Sequence, residues 1–279
     1  MKQGKIKRSY VSIVLLLFFT CVFQQCLLLG QNPSLEYKLN KRFFIKFSDD
    51  VRETLVSPRN WDGKDLLTFS AVLGTGILFY AFDQEINDWL QDNRTSFSDD
   101  FFKVATDIGH GAFLAGLMTA MYASGELFKS NSLRKTALLS LESFVISGVL
   151  VLGLKFSTGR ARPQMGKSKN TFHLFSTRSS YNSFPSGHAS SAFAVATTVA
   201  EQSDKTVIDI LAYSLATVVA VSRIHNSKHW ASDALVGSAI GYFVAKKISG
   251  LNRDHNSTAL KVNFYFNKDR QAISFCLFF

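Results

Sequence analysis

The chain has 279 residues, 47% of them hydrophobic, with 26 phenylalanines against 4 prolines and a mean hydropathy of +0.09. A net charge of +10 and a pI near 9.5 suit an anionic partner: nucleic acid, an anionic lipid surface or a phosphorylated substrate. No regular spacing of basic and aromatic residues marks a nucleic-acid face, and the apolar runs point to lipid instead.

The N-terminus reads as a targeting segment over residues 1–30. Lys2, Lys5, Lys7 and Arg8 precede the apolar run VSIVLLLFFTCVF, and polar residues follow at Gln31 and Asn32. An uncleaved anchor is the other reading, because Leu28 makes the cleavage pattern imperfect. Cys21 and Cys26 fall within this N-terminal segment and Cys276 near the C-terminus, so removal of the leader leaves one thiol and no internal disulfide. Residues 31–65 are mixed and charged, and are expected to form a short helix and loops outside the bilayer.

Six apolar runs follow, at residues 66–82, 108–124, 136–156, 189–200, 207–224 and 232–248. A spanning helix needs about 20 mainly apolar residues, which the first, third and fifth approach. The fourth is short, and the second and sixth are rich in Gly, Ala and Ser, which permit close helix packing. Between the first two runs, residues 82–102 alternate charge with Phe, Ile, Trp and Leu, and read as amphipathic and interfacial. Glu142, inside the third run, is expected to face the bundle interior. In the tail, Val262, Phe264 and Phe266 alternate, as do Ile273, Phe275, Leu277 and Phe279, which signals a β-hairpin around Asn267-Lys268-Asp269.

Polar residues gather at the ends of the apolar runs. KFSTGRARP closes the third run; Lys155 and Arg162 are two helical turns apart, so one helix face could carry both unless Gly159 or Pro163 ends the helix first. PSGH opens the fourth run. The free N–H groups at a helix start attract anions, Gly187 allows close approach, Ser186 adds a hydroxyl, and His188 would stand at the anion's edge as a proton donor. An ordinary Ser186 cap beside a solvent-facing histidine is the plainer reading. SRIHNSKHWASD ends the fifth run. On a helix His229 and Asp233 would share a face, the carboxylate fixing the ring tautomer and leaving the other nitrogen to attack, and Arg223 would offer a fork to phosphate oxygens. His225, His229 and Asp233 could instead form a metal face at i, i+4, i+8, but that gives Arg223 no use.

KFSTGRARP, PSGH and SRIHNSKHWASD, in this order and spacing, resemble the three-part signature of the type 2 phosphatidic acid phosphatase and vanadium haloperoxidase superfamily. The resemblance covers Lys155 to Asp233 and implies a helical fold and a phosphohistidine intermediate on His229. It also implies Asp233 as the orienting acid, His188 as general acid, and Lys155, Arg162 and Arg223 as phosphate ligands.

The expected fold is all-α: a bundle of about six apolar helices, transmembrane or membrane-associated, with a short C-terminal hairpin. The expected division is 1–30 leader or anchor, 31–65 extramembrane segment, 66–250 phosphatase domain and 251–279 tail. The expected activity is hydrolysis of a lipid phosphomonoester or pyrophosphate at the bacterial cell envelope, without metal or other cofactor. Phosphatidic acid, phosphatidylglycerol phosphate and polyprenyl pyrophosphate are the candidate substrates. Keeping Lys129, Arg134, Lys135, Lys246 and Lys247 inside turns the pocket toward the periplasm, which requires one weak run, the second or fourth, not to span fully. The alternatives are a secreted phosphatase for soluble esters, a vanadate-dependent haloperoxidase, and a non-enzymatic binder of anionic lipid headgroups. The 21 residues from Gln164 to Phe184 are expected to lid the pocket.

Overall fold

The structure, a computed structural model, describes residues 36–253 and the backbone of two later strands. The leader expected at 1–30, with Cys21 and Cys26, lies outside the described residues. Nine helices are described: α1 (Lys41–Val56), α2 (Gly63–Ala81), α3 (Asp83–Asp92), α4 (Ser96–Ile108), α5 (Gly111–Leu127), α6 (Asn131–Thr158), α7 (Gly187–Glu201), α8 (Thr206–His225) and α9 (Ala231–Leu251). The strands β1 (Leu260–Asn267) and β2 (Arg270–Leu277) belong to a second compact unit, residues 250–279. They pair antiparallel, with Leu260 opposite Leu277 and Asn267 opposite Arg270.

The short helix α7 is the centre of the bundle. Its alanines are small enough to admit neighbours on several sides, and Ala189, Ala192, Ala194, Val195, Ala196 and Val199 are all buried. Val195 and Val199 pack with Leu114, Met118, Leu133 and Ile208, while Ala192 and Ala196 pack with Ile108, Ala212, Ala216 and Val219. Helix α9 approaches more closely still. Gly237 and Gly241, four apart, lie against the α7 backbone: an added Cβ would stand 2.3 Å from the Ser186 carbonyl oxygen and 2.1 Å from that of Ser190. Small residues at this spacing bring two backbones together, and here they seat α9 on the first turn of α7.

Among the described residues two helices, α6 and α8, are long and apolar enough to cross a membrane, or three spans if α2 and α3, bent by 57°, count as one. Their outer faces are apolar: Leu66, Leu67, Phe69, Leu73, Ile77 and Leu78 on α2, Val149 and Leu152 on α6, and Val207 and Ile210 on α8 are exposed. So much contiguous exposed apolar surface marks an interface with something other than water. The second and fourth runs form helices of only 17 and 15 residues. In the 82–102 segment, Phe82, Trp89 and Phe97 are exposed around the start of α3, on α3 and on the first turn of α4. Glu142 is buried within α6, as its cost in an apolar run demands, beside Asp50 of α1.

Candidate active site

The site forms where the end of α6, the start of α7 and the α8–α9 connection meet. Helix α6 does not carry both Lys155 and Arg162 on one face. It ends at Thr158 because Gly159 takes a left-handed conformation, φ +57°, and an added Cβ there would stand 1.6 Å from the His173 carbonyl oxygen. The chain then runs beside residues 171–173, with His173 N–H donating to Gly159 O (2.7 Å) and Ala161 N–H to Thr171 O (2.9 Å). Lys155 and Arg162 meet through a shared neighbour instead. Lys155 Nζ donates to the Asn182 carbonyl, and the Arg162 guanidinium donates to Asn182 Oδ1 at 2.6 and 3.1 Å. The 164–184 connection therefore does more than cover the pocket; it supplies Asn182 and Ser183 to it.

Helix α7 starts at Gly187, with Ser186 as N-cap; the Ser186 hydroxyl accepts from Ala189 N–H at 3.4 Å. The Ser186 N–H is already used, donating to the Asp233 carbonyl at 2.9 Å. Ser186 is thus a structural cap, and the helix-start amides without an intrahelical partner are those of Gly187 and His188. The His188 ring is half-buried, 5.8 Å from the ring of His110 in a T-shaped arrangement. Gly109 packs beside it and against Val219: an added Cβ there would lie 3.5 Å from His188 Cδ2, an ordinary contact, but 2.3 Å from Val219 Cγ1.

Arg223 is buried at the end of α8 and donates to Thr106 Oγ1 at 3.3 Å. His229 lies in the α8–α9 connection, two residues before α9 begins, so the helical i, i+4 pairing with Asp233 is not formed. Its Nδ1 is 2.6 Å from the Ser183 carbonyl, while Asp233 Oδ2 is 3.9 Å away. A carbonyl only accepts, so Nδ1 bears the proton and Nε2 is the lone-pair nitrogen. Asp233 instead accepts from Arg160 Nη1 (2.6 Å), Ser183 Oγ (2.5 Å) and the Trp230 N–H (2.9 Å). It holds His229 through Ser183, not directly. The metal face fails for the same reason: α8 ends at His225 and α9 starts at Ala231, so the three residues share no helix. His225 turns toward α4, with Nε2 3.1 Å from Ser98 Oγ and its ring 4.5 Å from that of Phe102.

The electrostatics are those of a candidate anion site. Among the described residues, Lys155, Arg162 and Arg223 donate to neutral acceptors: a carbonyl, an amide oxygen and a hydroxyl. Buried charge is costly unless paired. Burial and these cations push His229 well below the ordinary histidine range, and push His188 down to about 3. These shifts favour the neutral form of both rings near pH 7. Lys228 adds positive charge at the rim, donating to Gln164 Oε1 at 2.5 Å.

Sequence reasoning missed Asp83, Thr106, Arg160, Asn182 and Ser183. Arg160, Asn182 and Ser183 stand within or just before the quoted motifs, where a signal existed. Thr106 and Asp83 are ordinary residues distant in sequence.

A helical bundle that gathers cations and histidines around one helix start has the chemistry of a candidate oxyanion site. Residues 136–255, which hold all three signature parts, match the PAP2 superfamily. The lipid A 1-phosphatase of Porphyromonas gingivalis is 32% identical over 145 residues, covering 50% of this chain and 30% of that protein. The chain therefore spans less than a third of this curated relative. Two solved structures share the fold. LpxE of Aquifex aeolicus has a TM-score of 0.50 at 24% identity, over 61% of this chain and 95% of its own. The transmembrane PAP2-type phosphatidylglycerolphosphate phosphatase of Bacillus subtilis has a TM-score of 0.55 at 22% identity, over 68% of this chain and 98% of its own.

Proposed function

We propose that the protein is a membrane phosphatase that hydrolyses a lipid phosphomonoester or pyrophosphate through a phosphohistidine on His229. The observation that carries this reading is the set of three cations that, among the described residues, donate to neutral acceptors. A phosphate dianion is the partner they lack. Lys155, Arg162 and Arg223 neutralise its equatorial oxygens, and the amides of Gly187 and His188 at the start of α7 add their partial charge. His229 Nε2 attacks phosphorus in line with the leaving oxygen, and the Nδ1–H bond to Ser183 holds the ring in the attacking tautomer.

His188 protonates the departing alkoxide. Burial and then the neighbouring cations push its pKa down, and the incoming dianion offsets the cations' part; substrate arrival and proton uptake are coupled. In the second half-reaction a water attacks the phosphohistidine, His188 takes its proton, and inorganic phosphate leaves with His229 restored. Because the cations and the helix start stabilise the transferred group, the account requires no metal.

The exposed apolar faces of α2, α6 and α8 favour a lipid substrate presented in the bilayer. Lys129, Arg134 and Lys135 lie at the opposite end of α6 from Lys155, and Lys246 and Lys247 at the opposite end of α9 from Asp233. Keeping these basic ends in the cytoplasm turns the site to the periplasmic side. The relative named for lipid A 1-phosphate makes that lipid a first candidate beside phosphatidic acid, phosphatidylglycerol phosphate and polyprenyl pyrophosphate.

The test is phosphate release by purified full-length protein from these lipids and from p-nitrophenyl phosphate, with and without chelator. Turnover of a lipid, unaffected by chelator, is expected. Turnover of the soluble ester alone would move the reading to a phosphatase of soluble substrates. Halide oxidation strictly dependent on added vanadate would make it a haloperoxidase, and binding without turnover would make it a headgroup binder.

A further inference from the structure

Asp83 stands outside the three-part signature. It opens α3 at the 57° bend with α2, and it is completely buried. A carboxylate there must be matched by donors, and three reach it. Oδ1 accepts from the Ser232 N–H at 2.9 Å; Oδ2 accepts from Ser232 Oγ at 2.6 Å and from Arg160 Nη2 at 2.7 Å.

Arg160 is itself 1% exposed and lies between two carboxylates. With Nη2 held by Asp83, Nη1 is directed to Asp233 Oδ1 at 2.6 Å and to Ser232 Oγ at 2.9 Å, while Nε donates to Lys169 O at 3.0 Å. The rings of Tyr80 and Trp230, 4.6 and 5.4 Å from the guanidinium carbon, confine its plane. Asp233 in turn fixes the Ser183 hydroxyl, and the Ser183 carbonyl fixes His229 Nδ1. An unbroken series of hydrogen bonds, from 2.5 to 2.7 Å each, joins Asp83 to His229 through Arg160, Asp233 and Ser183. A planar guanidinium that gives one terminal nitrogen to each carboxylate is stiff in a way a lysine would not be.

We propose that Asp83 is a positioning residue for His229, which makes the α2–α3 bend a fourth part of the active site. The inference rests on the reading of His229 as nucleophile. Asp83 touches neither phosphate nor the reacting nitrogen. It sets the direction of Arg160, and through it the angle at which Nε2 meets phosphorus.

The test uses the full-length chain with Asp83→Asn, which keeps the volume and removes the charge. kcat is expected to fall roughly 10- to 100-fold, the scale of a misplacement near 1 Å. KM and the affinity for inorganic phosphate are expected to stay within about twofold, because the cations are untouched. A merely structural loss would weaken phosphate binding as well. In the double variant with Asp233→Asn, the drop should be no larger than for Asp233→Asn alone, since both act along one path. If Asp83→Asn does not fold, Ser232→Ala carries the test: it keeps every charge, loosens Asp83, and is expected to lower kcat several-fold. Full kcat in a folded Asp83→Asn or Ser232→Ala protein, beside an active wild type and an inactive His229→Ala, overturns this inference alone. An inactive wild type overturns the phosphatase reading and this inference with it.

Discussion

Gly237→Ala is a one-methyl perturbation with a calculable effect on chemistry it never touches. The new Cβ would stand 2.3 Å from the Ser186 carbonyl oxygen and 3.1 Å from the Ser186 N and C. These are backbone atoms at the cap of α7, so no side chain can swing aside. Reaching ordinary contact at 3.4 Å requires α9 and the α7 start to part by about 1 Å. That movement strains the Ser186 N–H bond to the Asp233 carbonyl and shifts the Gly187–His188 amides relative to His229. Overpacking of this kind costs about 1–3 kcal/mol of stability, whereas a 1 Å displacement of reacting groups costs about 100-fold in rate. The expected variant is folded but slow. The assay is steady-state phosphate release alongside a thermal melt in the same detergent. Gly148→Ala on α6 is the control, with nothing within 4 Å of an added Cβ; it should keep its rate and gain up to ~1 kcal/mol from helix propensity. A folded Gly237→Ala protein with kcat within threefold of wild type would refute the close-packing argument.

Anion binding should take up protons near pH 6–7, because the anion offsets the cations that help hold His188 neutral, while His229 keeps its Nε2 lone pair for attack; titration calorimetry of inorganic phosphate in buffers of different ionisation enthalpy reads this directly. The ligand-free protein should also lose stability as pH falls from about 6.5 toward 3. Both histidines titrate near 6.5 when unfolded and lower when folded, His188 at about 3. Below 6.5 the unfolded chain therefore binds more protons, and stability drops with pH across that window; melts from pH 7 to 4 check the sign. Arg160→Met removes the cation between Asp83 and Asp233 and strands two buried carboxylates, a loss of about 3–5 kcal/mol or more, and should lower the melting temperature by roughly 10 °C.

The candidate phosphate ligands are legible because they cluster in short stretches at the ends of apolar runs, where a bundle has room for a polar site. Their geometry was less legible, because it depends on where helices stop. Lys155 and Arg162 have helical spacing, yet Gly159 ends α6 between them and Asn182 brings them together. His229 and Asp233 also have helical spacing, but α9 begins only at Ala231, so the carboxylate acts through Ser183. Ser186 was read as an anion donor, whereas its amide meets the Asp233 carbonyl, a contact that only the Gly237 approach creates. Thr106 and Asp83 carry no pattern of their own; their roles come from the packing of α4 against α8 and from the α2–α3 bend. The small residues of α7 and α9 suited either membrane spans or a buried core, and the burial of α7 shows that its alanines serve packing.

The most direct measurement is capture of the phosphoryl group. Full-length protein is mixed with ³²P-labelled lipid phosphate, quenched in alkali within milliseconds, digested and mapped. Label that is alkali-stable and acid-labile, on the peptide containing His229 and absent from His229→Ala, is the predicted result. Turnover with no labelled histidine, or label on another residue, would contradict it.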